Sequence, residues 1–263
     1  MLTANTGQDK SSQKALAVIP ARFASTRFPG KMLALLDGKP LVYHTYCRAC
    51  RAHSVGRVII ATDDLRIKDA LEVLGANVVM TRSDHASGTD RLAEVASDAP
   101  EEIIVNVQGD EPLLDPAVID LAVDKLHSTP EAVASTACHL LHTPEDILNP
   151  NMVKVVRDLQ SNALLFSRCP IPHVRDASDI QMAAGMGIYY KHIGLYVYRK
   201  DFLLRYAALP ATPLEKLEKL EQLRIIEHGY KLSVVETSYT GFGVDTPEDL
   251  QRAHALLIQQ STL

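Results

Sequence analysis

Between residues 15 and 128 the chain alternates short apolar runs with segments of helical spacing, and this alternation restricts the fold more than any other feature. Residues 15–19 are continuously apolar and read as a buried strand ended by Pro20. Residues 40–52 have helical spacing, with Pro40 in the first turn, where its missing N–H is no loss. Residues 57–62 (RVIIAT) read as a strand. Residues 65–74 read as a helix closed by Gly75 at its C-cap. A short strand at 78–80, a helix at 90–97, a strand at 103–107 (IIVNV) and a helix at 116–128 follow. Strands this apolar must be covered on both faces. The order predicts an α/β class fold, a mostly parallel central sheet with helices on both faces. Such sheets bind ligands beyond the carboxyl ends of their strands, where the strand order reverses.

The rhythm changes near residue 132. Strand-like runs at 132–140, 153–157, 164–166 and 195–198 surround a polar, Gly-containing stretch at 175–191. Residues 132–212 therefore predict a smaller mixed α/β lobe with a long loop, suited to an acceptor pocket or a dimer surface. Residues 213–263 return to the main α/β region, with a helix at 214–227, a strand at 232–235 and a closing helix at 247–259. Residues 15–131 form the expected nucleotide-binding region, and residues 1–14 read as a disordered polar tail without a signal-peptide pattern.

Composition excludes several function classes. The formal net charge is -5, so no global field favours nucleic acid or an anionic membrane. Trp is absent and aromatics are 5% of residues, too few for base-stacking platforms. No apolar run is long enough to cross a bilayer, and a cytoplasmic location is expected. Cys47 and Cys50 form a C-x-x-C, but they lie in a helical pattern with no second close pair, which disfavours zinc or redox use.

Four loops carry candidate chemistry. The first strand runs into PARFASTRFPGK, with Arg22, Ser25, Thr26, Arg27, Gly30 and Lys31 in one loop. Cations, hydroxyls and free backbone N–H groups are what a polyphosphate requires. The loop has neither Walker nor G-x-G-x-x-G spacing, so ordinary P-loop hydrolysis and dinucleotide binding are disfavoured; a solvated basic loop also fits it. The strand at 103–107 ends in Gln108-Gly109-Asp110-Glu111-Pro112, where Asp110 is placed to hold magnesium against phosphates or simply to cap a turn. In GFGVDTPEDL, Thr246, Pro247 and Asp249 read as a helix cap, which leaves Asp245 unexplained and available as a second metal ligand. TRSDHASGTDR offers Arg82, Gly88 and hydroxyl residues for a base and ribose, with Thr89 expected to cap the next helix.

Seven segments in order, PARFASTRFPGK, TRSDHASGTDRLAEV, IVNVQGDEP, NPNMVKVV, HIGLYVYR, PLEKLEKLEQLR and GVDTPEDL, resemble the 3-deoxy-manno-octulosonate (Kdo) cytidylyltransferase family over nearly the whole chain. The resemblance implies a Rossmann-like nucleotidyltransferase that uses CTP and Mg2+ to convert Kdo to CMP-Kdo and pyrophosphate, for lipopolysaccharide biosynthesis, as a homodimer. It implies that Arg22 and Lys31, with Ser25 or Thr26, contact the CTP phosphates, and that Ala21, Arg82, Gly88 and Gln108 shape the cytidine site. Asp110 and Asp245 would bind magnesium. Arg168, His192, Tyr196, Glu221 and Gln222 would hold the acceptor sugar. Each of these last has a plain structural alternative: Glu221 and Gln222 as the polar flank of a leucine-rich helix, His192 as a hydrogen-bonded core histidine. The segment FSRCPIPH keeps the family's F-S-R-x-x-I-P core but carries His173 where Trp is common. Activation of another acidic sugar, or nucleotide-sugar sensing without catalysis, remains as an alternative. A glycosyltransferase is disfavoured by the lack of a D-x-D motif.

Overall fold

The computed structural model describes residues 14–24, 28–85 and 87–261; Ser25, Thr26, Arg27 and the tail before residue 14 lie outside this set. The first strand, β1 (Ala15–Ala21), is buried almost throughout. Its alternate residues face opposite ways: Ala15, Ala17 and Ile19 join one apolar cluster, and Leu16 and Val18 join the other. This is the two-sided burial expected of a central parallel strand. A small hairpin, β2 (Leu35–Leu36) and β3 (Lys39–Pro40), leads into α1 (Leu41–Ala49). Next come β4 (Val55–Thr62), α2 (Leu65–Glu72), β5 (Val78–Met80), α3 (Gly88–Ser97), β6 (Ile103–Asn106) and α4 (Pro116–His127). The second half comprises β7 (Ala132–Leu140), α5 (Pro144–Leu148), β8 (Lys154–Arg157), β9 (Ala163–Ser167), α6 (Ile180–Ala184), β10 (Tyr190–Arg199) and α7 (Lys200–Tyr206). It ends with α8 (Pro213–Glu218), α9 (Leu223–Glu227), β11 (Lys231–Glu236) and α10 (Pro247–Ser261).

Among the described residues the main sheet runs β11-β7-β10-β6-β1-β4-β5, with β8 and β9 attached beside β10. Strands β1, β4, β5 and β6 are parallel, β10 is antiparallel to both β6 and β7, and β11 is parallel to β7. The sheet is therefore mostly parallel, as the alternation predicts. The chain moves outward from β1 to β4 and β5, then crosses back to β6 on the other side of β1. The loops after β1 and β6 thus diverge from one point, the crevice where such sheets take ligands.

Several local expectations are corrected. Strand β1 does not end at Pro20 but continues to Ala21. Val18 accepts from Val107 on the β6 side, and Pro20, two residues on, faces the same side after β6 has stopped, so its missing N–H forfeits no ladder bond. Pro40 closes the β2–β3 hairpin and serves as the N-cap of a helix shorter than the expected 40–52. Thr89 does not cap α3. Ser87 does, in a capping box with Asp90: Asp90 N donates to Ser87 Oγ (3.1 Å) and Ser87 N to Asp90 Oδ2 (2.9 Å). The helix expected over 214–227 is two helices, α8 and α9, parted by Lys219 in a left-handed conformation (φ 55°). The break buries Leu220 and turns Glu221 and Gln222 inward.

The region 132–212 is divided between two places. Strands β7 and β10 lie inside the main sheet. The β8–β9 ribbon stands beside it, and α5 and α6 pack on each other around a small cluster of Leu141, Ile147, Ala183, Ala184 and Tyr189. At the end of the chain, Thr246 caps α10 as expected: Asp249 N donates to its Oγ1 at 3.1 Å.

Ser87→Ala removes the α3 cap. The expected cost is about 0.5–2 kcal/mol, read from urea unfolding, with Asp90→Ala giving a similar and non-additive loss.

Candidate active site

Three remote loops meet on one ammonium group. Gly30 (φ 72°) turns the chain into a short 3-10 turn at Lys31–Leu33, which directs Lys31 inward. Its Nζ donates to Asp110 Oδ2 at 2.6 Å, to Asp245 Oδ1 at 2.9 Å and to the Val244 carbonyl at 3.2 Å. Burial acts to lower the lysine pKa, but the two carboxylates outweigh it and raise the value above the ordinary one. The loop carrying Asp245 is pinned by Val244 N donating to the Asp110 carbonyl at 2.8 Å. Gly109 allows the turn before Asp110: a Cβ there would stand 3.2 Å from Met32 Sδ and 3.3 Å from the Pro20 carbonyl oxygen. Two carboxylates thus converge on one cation position at the mouth of the crevice.

A cleft of about 150 Å³ opens between the ends of β1 and β6, the N-terminus of α3 and the turn between α8 and α9. Pro20, Gly88, Gln108, Tyr196, Glu221 and Gln222 are among its walls. Thr89, Asn106, Tyr198 and Tyr206 complete it. Glu221 also lines a wider groove of about 550 Å³ whose walls include Asp90, Lys216, Lys219 and Arg224. Burial pushes the Glu221 carboxyl up, opposed by a Thr89 hydrogen bond and the Arg224 charge. Burial holds Tyr196 and Tyr198 well above the usual phenol range, so both remain protonated donors. The Tyr206 hydroxyl donates a hydrogen bond to the Glu221 backbone carbonyl at 2.7 Å.

This combination, a cleft lined by hydroxyls, carboxylate and amides beside a cation position framed by two aspartates, suits transfer of a charged phosphoryl group to a hydroxylated acceptor. Comparison with known proteins decides the family. The sequence model of the family described as Cytidylyltransferase matches residues 16–233. The 3-deoxy-manno-octulosonate cytidylyltransferase of Solibacter usitatus is 54% identical over 244 residues, covering 93% of this chain and 94% of the relative. That of Geobacter sulfurreducens is 54% identical over 240 residues, covering 90% and 96%. A solved CMP:2-keto-3-deoxy-manno-octonic acid synthetase in complex with CTP superposes with a TM-score of 0.87 at 41% identity, covering 94% of this chain and 99% of that one. The chain belongs to the 3-deoxy-manno-octulosonate cytidylyltransferase family. A 4-diphosphocytidyl-2C-methyl-D-erythritol synthase from Anaerococcus prevotii, 14% identical with a TM-score of 0.60 over 94% of this chain and 98% of its own, shares the fold alone.

Of the residues that the resemblance to the cytidylyltransferase family points to, the structure gathers Gly88, Gln108, Tyr196, Glu221 and Gln222 in the cleft, and Lys31, Asp110 and Asp245 at the cation position. Ala21 is buried at the end of β1. Arg22 reaches across to the loop before α3, its Nη2 donating to the His85 carbonyl at 2.7 Å. Arg82 is exposed, in a two-point pair with Asp84 (2.6 and 2.9 Å). Arg168 sits at the end of β9, where its Nε donates to the Glu218 carbonyl (2.8 Å) and Nη1 to the Pro150 carbonyl (3.0 Å). His192 stands behind Tyr196, ring centroids 5.3 Å apart, with its Nε2 3.0 Å from Thr136 Oγ1 and its ring edge-on to Phe166. Burial lowers its pKa to about 3, so it is neutral. Ser25 lies outside the described residues.

Sequence reasoning missed Asn106, Tyr198 and Tyr206 in the cleft, and gave Thr89 a capping role beside the general one of its loop's hydroxyl residues. Asn106 did leave a signal: it is the one polar residue in the apolar run IIVNV. Beside the aspartates, Glu111 accepts from the Tyr239 hydroxyl at 3.1 Å, and burial with the neighbouring Asp110 charge pushes its carboxyl up to about 7.

Two outcomes are expected. Lys31→Met leaves the two carboxylates facing each other without a cation. It should cost about 1–3 kcal/mol in urea unfolding, between the values for exposed and fully buried pairs. His192 is neutral in the folded state down to about pH 3, whereas unfolded histidine protonates near about 6.5. The unfolded state then binds more protons across that interval, so stability falls as pH drops through it, by at most ~1.4 kcal/mol per pH unit. Unfolding midpoints of His192→Gln between about pH 7 and 5 should be flatter than those of the parent; equal slopes would assign the acid sensitivity to another group.

Proposed function

We propose that this chain transfers CMP from CTP to 3-deoxy-manno-octulosonate, giving CMP-Kdo and pyrophosphate as a supply of activated sugar for lipopolysaccharide. The observation that carries the reading is the convergence of Asp110 and Asp245 on one cation position beside a hydroxyl-lined cleft, in a chain 54% identical to enzymes of that name. In the reaction the anomeric C2 oxygen of the sugar forms a bond to the α-phosphorus of CTP and its proton passes to solvent, while the bond from that phosphorus to the β-phosphate bridge breaks and pyrophosphate leaves.

The carboxylate pair that Lys31 bridges here fits magnesium once that ammonium turns to the phosphates. Its donors are hard carboxylate oxygens, and among the described residues no third His, Cys, Asp or Glu joins them. Two carboxylates with the rest of the shell left to substrate and water is the arrangement magnesium prefers. Asp110 and Asp245 would hold the ion, which supplies charge neutralisation at the phosphates. Lys31 and Arg22 would offset the remaining phosphate charge. Gly88 at the start of α3 permits close approach of the nucleoside, and Gln108 presents an amide to it. Tyr196, Glu221 and Gln222 would hydrogen-bond the sugar hydroxyls, with Arg168 turned to its carboxylate.

A homodimer is part of the same proposal. Leu148, Leu164, Met182 and Met186 in the region 132–212 are roughly half exposed, apolar surface that a partner copy would cover. No helix among the described residues is long and apolar enough to cross a membrane.

The test is pyrophosphate release. It should require CTP, Kdo and Mg2+ together, and ATP, GTP or UTP should not replace CTP. Asp110→Ala should retain the fold and lose at least about a hundredfold in kcat. Release with a different acidic sugar and none with Kdo would change the substrate; nucleotide binding without release under any condition would overturn the enzymatic reading.

A further inference from the structure

The cleft contains an amide that the protein leaves unsatisfied. Asn106 is the last residue of β6 and is 4% exposed, yet its Oδ1 is buried without a hydrogen-bond partner. In the sheet it lies between Val18 of β1 and Tyr196 of β10, its direct register partners. The same face carries Leu16, Val18 and Ile104, so the amide interrupts an apolar surface. An orphaned buried carbonyl costs about 1–3 kcal/mol, which an aliphatic residue at this place would avoid.

The other unsatisfied acceptor in the cleft is Glu221 Oε1, also buried without a partner. Two acceptors lacking donors define the ligand by what it must bring, which is two or more O–H or N–H groups. Phosphate oxygens bring none. A polyhydroxylated sugar brings several on adjacent carbons.

We propose that Asn106 is a specificity-determining residue for the acceptor sugar, its Oδ1 accepting a hydrogen bond from one sugar hydroxyl while Glu221 accepts from another. This rests on the Kdo reading above and adds a residue to it. The exocyclic amine of cytosine is the competing donor, and separate kinetics for the two substrates distinguish them.

Asn106→Leu removes the acceptor while keeping the branching and the heavy-atom count of the side chain. Because it also removes an unsatisfied group, its melting temperature should equal or exceed that of the parent. The KM for Kdo should rise about tenfold, with the KM for CTP within about twofold. Among Kdo analogues lacking single hydroxyls, one should lose affinity for the parent and not for the variant, which a merely structural role would not produce. An unchanged KM for Kdo with active parent enzyme overturns this inference alone. So does a rise confined to CTP, which would give Asn106 to the base, or a fall in melting temperature with both KM values moving together. A parent enzyme that turns over CTP with another sugar and never with Kdo takes down the substrate reading and this inference with it.

Discussion

The Lys31 ammonium joins parts of the chain that are 79 and 214 residues away from it, and the architecture of the site depends on that meeting. Without a cation, Asp110 and Asp245 would repel each other across a partly buried space and the loop before α10 would have little to hold it. The backbone bond from Val244 to Asp110 fixes the approach, and Phe242, Val244 and Leu250 pack this end of the chain on the β2–β3 hairpin. The closing helix therefore serves the site as much as the core. Asp245, just before it, adds a second carboxylate to that of Asp110 at the crevice between β1 and β6.

The cleft beside this clasp owes its character to β10, the one antiparallel strand on the main sheet path. Parallel strands end together at the ligand edge and contribute loops there. An antiparallel strand passes that edge with side chains along its length, and so Tyr196 and Tyr198 lie in line on one face. An aromatic series of Phe166, His192, Tyr196, Tyr198 and Tyr206 follows, each ring within 6.1 Å of the next. His192 belongs to this support. Neutral, within hydrogen-bond distance of Thr136 and packed on the rings of Phe166 and Tyr196, it is not among the residues that line the cleft.

The legible parts of the fold were those governed by local pattern. Strands β5 and β7 begin and end where their apolar runs do, and the left-handed Gly75 follows α2 as its position predicts. The misread parts were set by neighbours. Pro20 is tolerated in a central strand because β6 has stopped beside it. Residues 214–227 have continuous helical composition, yet Lys219 breaks them, because Leu220 is drawn into the core cluster and Glu221 into the cleft. Ser87 and Thr89 are both plausible caps on chemistry alone. The choice fell to Ser87 with Asp90, leaving the Thr89 hydroxyl to Glu221.

By itself the sequence determined the α/β class, the order of the main elements, the basic, hydroxyl-bearing composition of the loop after β1, and the two aspartates as a candidate pair, since periodicity, capping residues and loop chemistry act over a few positions. It also carried the family, since motifs in order along a whole chain survive without coordinates. Only the tertiary structure decided that Lys31 stands between the aspartates, that Arg82 and Arg168 are bonded elsewhere in this state, and that Asn106 faces the cleft with an unused oxygen. Those facts depend on which strands lie side by side and where each one stops, and pairing across the sheet joins residues that local pattern cannot relate.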